Sequence, residues 1–322
     1  MGEYCKWMAY FAELFDHSFA FACVFQMTNI RFSIATPTRN SLDKLKRCVG
    51  SVRGQHGITL EHLVQDAQST DGTPAWLGGQ SDLLAVSEKD AGMYDGINRA
   101  WARSKGEFLS WLNSDEQYLP GTLALVQAFF QEHPAVDVVF GNYIVADLNG
   151  RPVALRREIP FRRVYVTNSF LNMQSATIFY RRRLWDCGLL RLDSQYRYAA
   201  DKDLILRIAA SGAVIQHIPE YLSIFGIDGT NLSSHPQMKQ EAETIRLSFG
   251  AFRSKALRQL LMCGRRVERL LSGGYRGETI SYQYAVDETP HYIDVMASNL
   301  GGRYTLADPA GRADTMRPLE PS

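Results

Sequence analysis

Apolar residues fall in short blocks along the first half of this chain, and the blocks alternate between two periods. Residues 31–36 (RFSIAT), 60–65, 83–87, 107–112 and 136–140 are apolar runs bounded by turn formers, the mark of buried strands. Between them, residues 42–52 carry Leu42, Leu45, Val49 and Val52 at helical spacing behind Ser41, a residue placed to cap. Residues 93–102 and 122–133 also read as helices. This strand–helix alternation predicts an α/β domain on a parallel sheet. Beyond residue 141 the rhythm loosens. Residues 173–180 and 214–218 read as strands, 199–211 as a helix ending at Gly212, and 241–272 as one long helix or two. The tail from Gly273 has no strong period and reads as partly disordered.

In a parallel sheet the carboxyl ends of the strands share one edge, where ligands bind. Thr36, Asp66, Glu88, Asp90 and Asp115 each follow a strand, so they are expected to converge. The densest of these ends is SWLNSDEQYLP (110–120), where an apolar run breaks into Asn113, Ser114, Asp115 and Glu116. Adjacent carboxylates there offer hard oxygen ligands for Mg²⁺ or Mn²⁺, ions that bind through one or two carboxylates plus substrate phosphates. The plainer reading is a strand end with solvated acids before a turn.

Composition changes this picture little. With 322 residues and 45% apolar content the chain can bury a large core. The net charge of +1 implies no polyelectrolyte partner such as nucleic acid, although residues 1–150 are net acidic and the remainder net basic. Five widely spaced cysteines with no CxxC argue against a disulfide framework or a zinc site, and fit a reducing compartment. No uncharged apolar run reaches the length of about 18 residues that a membrane span needs. Residues 1–27 read as an extension outside the domain and 28–235 as the domain itself. Residues 236–275 follow as a basic amphipathic helical segment and 276–322 as the tail.

Three other segments carry candidate chemistry. QDAQSTDGT (65–73) sets Asp66 and Asp71 beyond a strand: Asp66 could accept from a nucleobase N–H, Asp71 could cap a helix, or both could belong to a polar turn. SEKDAGMYDGINRA (87–100) places Asp90 and Asp95 about an aromatic, with Asn98 on the helix that follows. YAADKDLILRIAASG (198–212) puts Asp201 and Asp203 two apart at a helix start, so they point to different faces, and Asp203 lies four before Arg207. Residues 246–276 set Lys255, Arg258, Arg265, Arg266 and Arg269 opposite an apolar stripe. That pattern fits a helix lying on an anionic membrane, or a helix packed on the domain with a solvated basic face.

Taken in order, FSIATPTRN, QDAQSTDGT, SEKDAGMYDGINRAW with FLSWLNSDEQYLPGTL, and QSATIFYRRRLWDCGLL with YRYAADKDLILRIAASG resemble a family-2 glycosyltransferase of GT-A fold, over residues 31–232. The resemblance is to members of bacterial O-antigen and exopolysaccharide assembly. It implies a GT-A nucleotide-diphospho-sugar transferase fold, with a Rossmann-like, mostly parallel sheet flanked by helices. It also implies roles by position. Thr36, Pro37 and Thr38 would line the nucleotide and Asp66 would meet its base, with Asp90 and Asn98 in the same pocket. The Asp-X-Asp metal motif falls on Asn113-Ser114-Asp115, with Asn113 and Ser114 toward the nucleotide sugar and Asp115 and Glu116 toward the metal. The Glu-Asp pair holding the catalytic base falls on Ala200-Asp201. The chain departs from the pattern at Asn113 and Ala200.

The expected activity is that of an inverting, metal-dependent hexosyltransferase using Mn²⁺ or Mg²⁺. It would move a sugar from a UDP- or GDP-linked donor to a hydroxyl of a saccharide or polyprenyl-linked saccharide in cell-surface polysaccharide synthesis. Asp201 would take the acceptor proton. The expected location is cytoplasmic and peripheral on the inner face of the plasma membrane. A nucleotidylyltransferase and a non-catalytic glycan or sugar-nucleotide binder are the competing classes.

Overall fold

The computed structural model describes residues 30–227 and 235–302. The extension 1–27 and residues 303–322 of the tail lie outside the described residues. In chain order the first elements are β1 (Phe32–Thr38), α1 (Leu42–Arg53), β2 (Leu60–Asp66), α2 (Thr73–Gly78), β3 (Val86–Ser87) and α3 (Met93–Ala102). Then come β4 (Phe108–Trp111), β5 (Glu116–Tyr118), α4 (Thr122–Glu132), β6 (Val138–Asp147) and β7 (Pro152–Arg156). The second half holds α5 (Arg163–Asn168), β8 (Phe179–Arg181), α6 (Arg182–Asp186), α7 (Ala200–Ala210) and β9 (Ile215–Ile227). Last are α8 (Pro236–Ser248), α9 (Lys255–Leu271), β10 (Glu278–Ala285) and β11 (Tyr292–Leu300).

The main sheet runs β3-β2-β1-β4-β8-β6-β9-β5, with β7 on β6. Its first four strands are parallel, in the register Thr36 opposite Val64 and Ala35 opposite Trp111. All seven residues of β1 are buried, as suits a strand covered on both faces. β8 then enters antiparallel between β4 and β6, β6 and β9 pair in parallel, and β5 closes the edge antiparallel to β9. The sheet is therefore mixed, with its parallel half where the strand–helix alternation was regular. Trp101, Trp111 and Tyr180 pack one face, and Phe32, Phe108, Phe130 and Phe179 the other.

Several expectations are corrected here. Within residues 173–180 only the end is strand, because Gln174 turns the chain into a 3₁₀ turn at Ser175–Thr177 by accepting the Ala176 N–H at 2.7 Å. Within 83–87 the strand shrinks to β3. Ser41 does not cap α1; Asp71 does, accepting the Leu42 N–H at 3.0 Å while also accepting the Thr73 N–H at 3.2 Å. Residues 241–272 are two helices, parted at Gly250, whose φ of 73° continues no helix. Residues 278–300 are a β10–β11 hairpin, where the tail had read as aperiodic. It docks on the domain through Tyr282 and Tyr284, and Gln117 bonds Ala285 at both amide ends.

The largest correction concerns α9. Arg265 and Arg269 of its basic side face inward, while Lys255 and Arg266 stay exposed. Arg265 and Arg269 are buried, the first against Glu158 (3.3 Å) and the ring of Phe170, the second on the Arg157 carbonyl (3.1 Å) and the ring of Tyr275. Its leucines face solvent. Arginine can do this because its guanidinium stacks on aromatic rings and reaches buried carboxylates. Among the described residues no helix is long and apolar enough to cross a membrane.

Candidate functional site

A cavity of about 1230 Å³ opens at the carboxyl edge of the parallel strands. The end of β1 supplies Pro37 and Thr38, and the hydroxyl of Thr38 is buried there with no hydrogen-bond partner. Its loop is fixed from outside: Asn40, in the left-handed region at φ 49°, accepts the Thr70 N–H at 2.7 Å and donates its own N–H to Ser69 at 2.7 Å.

Asp90 lines the cavity just before α3 and accepts the Gly92 N–H at 3.0 Å. Burial, with the nearby Asp95 charge, raises its carboxyl above the usual range. Gly96 permits this packing, since a Cβ there would lie 3.0 Å from the Asp90 carboxylate and 3.7 Å from Pro37.

The turn between β4 and β5 supplies Asn113, Ser114, Asp115 and Glu116. Glu116 is buried and its oxygens are taken by the Asn113 N–H (2.9 Å) and the Gln174 amide. Burial and the Asp115 charge push its carboxyl up to about 7. Glu116 thus helps hold the turn in shape while lining the cavity. The amide oxygen of Asn113 is buried and has no hydrogen-bond partner. Gly226 on β9 lets the turn pack closely, since a Cβ there would meet the Asp115 carbonyl at 2.5 Å.

Asp201 enters the cavity from the first turn of α7. It accepts the Lys202 N–H at 2.8 Å and the hydroxyl of Tyr94. Loss of water around it outweighs these donors and raises its carboxyl to about 6. Asp203 is turned away, paired with Arg207 at 2.7 Å and absent from the cavity lining.

Three expected residues lie outside the lining. Thr36 is fully buried and bonded to His62 at 2.8 Å. Asn98 spends its amide on both backbone groups of Leu192, at 2.7 and 3.0 Å. Asp66 is buried, accepting from Ser69 and Ser87. The first two are structural clamps: their polar atoms are engaged inside the fold, and helical or strand register alone did not reveal it.

Sequence reasoning missed Tyr94, Gln174, Lys202, Arg246 and Glu241. Lys202 is buried, donating to the Ser169 carbonyl at 2.7 Å, and burial beside Arg246 lowers its ammonium to about 8. Glu241 on α8 accepts three backbone N–H groups at the start of α7. Only Tyr94 carried a signal, as the aromatic between Asp90 and Asp95.

Among the described residues no three His, Cys, Asp or Glu side chains gather as a metal cage. Asp115 and the partnerless oxygen of Asn113 nonetheless fit a hard divalent ion that takes its remaining ligands from a bound phosphate group.

A sequence model described as glycosyl transferase family 2 matches residues 33–192. A PGL/p-HBAD biosynthesis glycosyltransferase of Mycobacterium bovis is 33% identical over 196 residues, covering 57% of this chain and 72% of the relative. A glycosyltransferase of Mycobacterium tuberculosis is 31% identical over 214 residues, 63% of this chain and 77% of that one. Among solved structures, S. aureus TarS 1–349 in complex with UDP-GlcNAc superposes with a TM-score of 0.56 at 20% identity, over 75% of this chain and 73% of that one. The mannosyltransferase PcManGT from Pyrobaculum calidifontis, in complex with GDP-Man and Mn²⁺, gives 0.52 at 18% identity, over 68% and 63%. These last two likenesses are of fold.

Proposed function

The chain belongs to glycosyl transferase family 2, whose members act on sugar-nucleotide donors, and on that premise we propose that it transfers a hexose with inversion. The donor is a UDP- or GDP-sugar. The acceptor is a hydroxyl of a saccharide or lipid-linked saccharide in cell-surface polysaccharide synthesis. One observation carries the reading: a single cavity holds Asp201, with its carboxyl raised to about 6, together with Thr38, Asp90 and the Asn113–Asp115 turn.

Each group has a task of its own chemistry. The partnerless hydroxyl of Thr38 and the carboxylate of Asp90 meet the nucleoside. Lining cations Arg39, Lys44 and Arg197 complement the diphosphate. Asp115 and the Asn113 oxygen hold Mn²⁺ or Mg²⁺, which when bound supplies Lewis-acid neutralisation of the leaving diphosphate. Asp201 accepts the acceptor's proton as its oxygen attacks the anomeric carbon. Its pKa near 6 leaves it ionised at neutral pH yet basic enough to take a proton. Tyr94 holds the carboxylate in place. One base opposite one leaving group gives a single displacement, so an α-linked donor yields a β-linked product.

The test is a panel of nucleotide sugars with saccharide acceptors. Release of nucleoside diphosphate matched by glycosylated product supports the reading. Pyrophosphate release would mark a nucleotidylyltransferase, and donor binding with neither product a binding protein.

A further inference from the structure

Helix α9 packs on the domain by its arginines and turns its apolar side outward. Leu260, Val267, Leu270 and Leu271 are exposed by 68, 53, 62 and 83%. With Leu257 and Cys263, also exposed, they fall on one side of the helix. Among the described residues nothing covers these side chains, and large apolar groups exposed side by side are a candidate interaction surface. Lys255, Gln259 and Arg266, all exposed and on one helical side, run along its border, and exposed Arg253 and Arg276 stand just beyond the two helix ends. The helix has one acid, Glu268, which is tied to Arg162 at 3.0 Å.

The inner side of α9, opposite the strip, touches a residue of the cavity wall. Phe170, half exposed, lines that cavity, and the guanidinium of Arg265 sits 4.6 Å over its ring. Val164 on α5, packed against α9, and Phe252, in the segment leading into α9, add exposed apolar surface.

We propose that the outward face of α9 embeds in the surface of an anionic lipid bilayer. The charge pattern favours this occupant: an apolar strip with basic residues along one edge, and with its one acid, Glu268, paired with Arg162 at the other, matches the headgroup–acyl boundary of an anionic leaflet. A second copy of the chain fits less well. The strip from Leu257 to Leu271 is about 21 Å long and about 10 Å wide, far below the roughly 800 Å² per partner of a stable interface. The buried arginines give the arrangement its sense, since they anchor the helix while leaving its leucines free for lipid.

The experiment is co-sedimentation of the full chain with phosphatidylcholine vesicles, with and without one quarter phosphatidylglycerol. It compares the wild type with a Leu260→Glu, Leu271→Glu double variant. Both positions are exposed, so the melting temperature should not move. The wild type should pellet with the mixed vesicles, and recovery should fall roughly tenfold for pure phosphatidylcholine and for the double variant. Equal recovery of the two proteins, or a wild type that stays in solution, would overturn the proposal. So would a wild-type dimer, by sedimentation velocity, that the double variant dissociates, for then a second copy covers the strip. Sugar transfer to a soluble acceptor, measured separately, should be the same in both proteins. A protein that binds vesicles yet transfers no sugar would count against the proposed activity and leave the docking surface standing.

Discussion

Glu241 accepts a hydrogen bond from the backbone N–H of Ala199 at 3.0 Å, across 42 residues of sequence. The same carboxylate takes the N–H groups of Arg197 and Tyr198 at 2.9 and 2.8 Å. Ala199 is the N-cap of α7, whose N–H is one of the donors a helix leaves unpaired at its start, and Arg197 and Tyr198 lead into it. A carboxylate there also meets the positive end of the helix dipole. Helix α8 therefore holds the N-cap of α7, two residues before Asp201. The residue just before Asp201, expected to be Glu by resemblance, is Ala200, which is fully buried.

Glu241→Ala should lower stability by about 1.5–3 kcal/mol, the usual worth of hydrogen bonds to a charged group, and should lower turnover in the protein that remains folded. Glu241→Gln keeps an acceptor oxygen and should recover part of both. Melting temperature and turnover measured on the two variants check this. An alanine variant unchanged in both would show that α7 is held by other contacts.

The pH dependence follows from Asp201. Its carboxyl is raised from the ordinary 3.8 to about 6, so below that pH it carries a proton and cannot take another. Turnover should rise with pH through about 6 and then level. The stability sign is opposite. A raised folded-state pKa contributes stability below the unfolded value that is lost as pH rises through the folded one. Asp201→Asn should therefore melt higher than the wild type at pH 8, while the difference shrinks at pH 4. Thermal melts at the two pH values test this, and a variant that melts lower at pH 8 would contradict the environment assigned to Asp201.

The turn that presents Asp115 can be tested through metal. Asp115→Asn should reduce turnover by about 10²-fold or more, typical for loss of a group that stabilises developing charge. It should also abolish any rise in melting temperature that Mn²⁺ gives in the presence of nucleoside diphosphate. Gly226→Ala should act in the same direction without touching the carboxylate, because its Cβ would press on the Asp115 carbonyl. Full activity of Asp115→Asn, or of the wild type in excess EDTA, would remove the metal from the account.

Much of this was legible in the sequence where periodicity and burial agree. The parallel half of the sheet, α1, α3 and the acid-bearing strand ends follow from runs buried on both faces. The i,i+4 spacing of Asp203 and Arg207 foretold their pairing. What the sequence hid depends on contacts between distant segments. Glu241 and Gln174 act across loops and leave no local pattern. Glu116 reads as a ligand in the string WLNSDE, and only the fold shows its bonds to Asn113 and Gln174. The outward turn of α9 was hidden because a hydrophobic stripe is normally the buried one. The hairpin was legible in principle: Ile280, Tyr282 and Tyr284 alternate as a strand should.

Asp201, and not Asp203, is the base of the proposed sugar transfer. The most direct measurement is turnover, donor affinity and melting temperature for Asp201→Asn and Asp203→Asn side by side. Asp201→Asn should lose about 10²–10⁴ in turnover with donor affinity nearly intact, since the proposed nucleoside contacts are Thr38 and Asp90. Asp203→Asn should keep turnover and lose stability, because it breaks the pair with Arg207. A folded Asp203→Asn enzyme that no longer turns over, beside an active Asp201→Asn, would contradict this assignment.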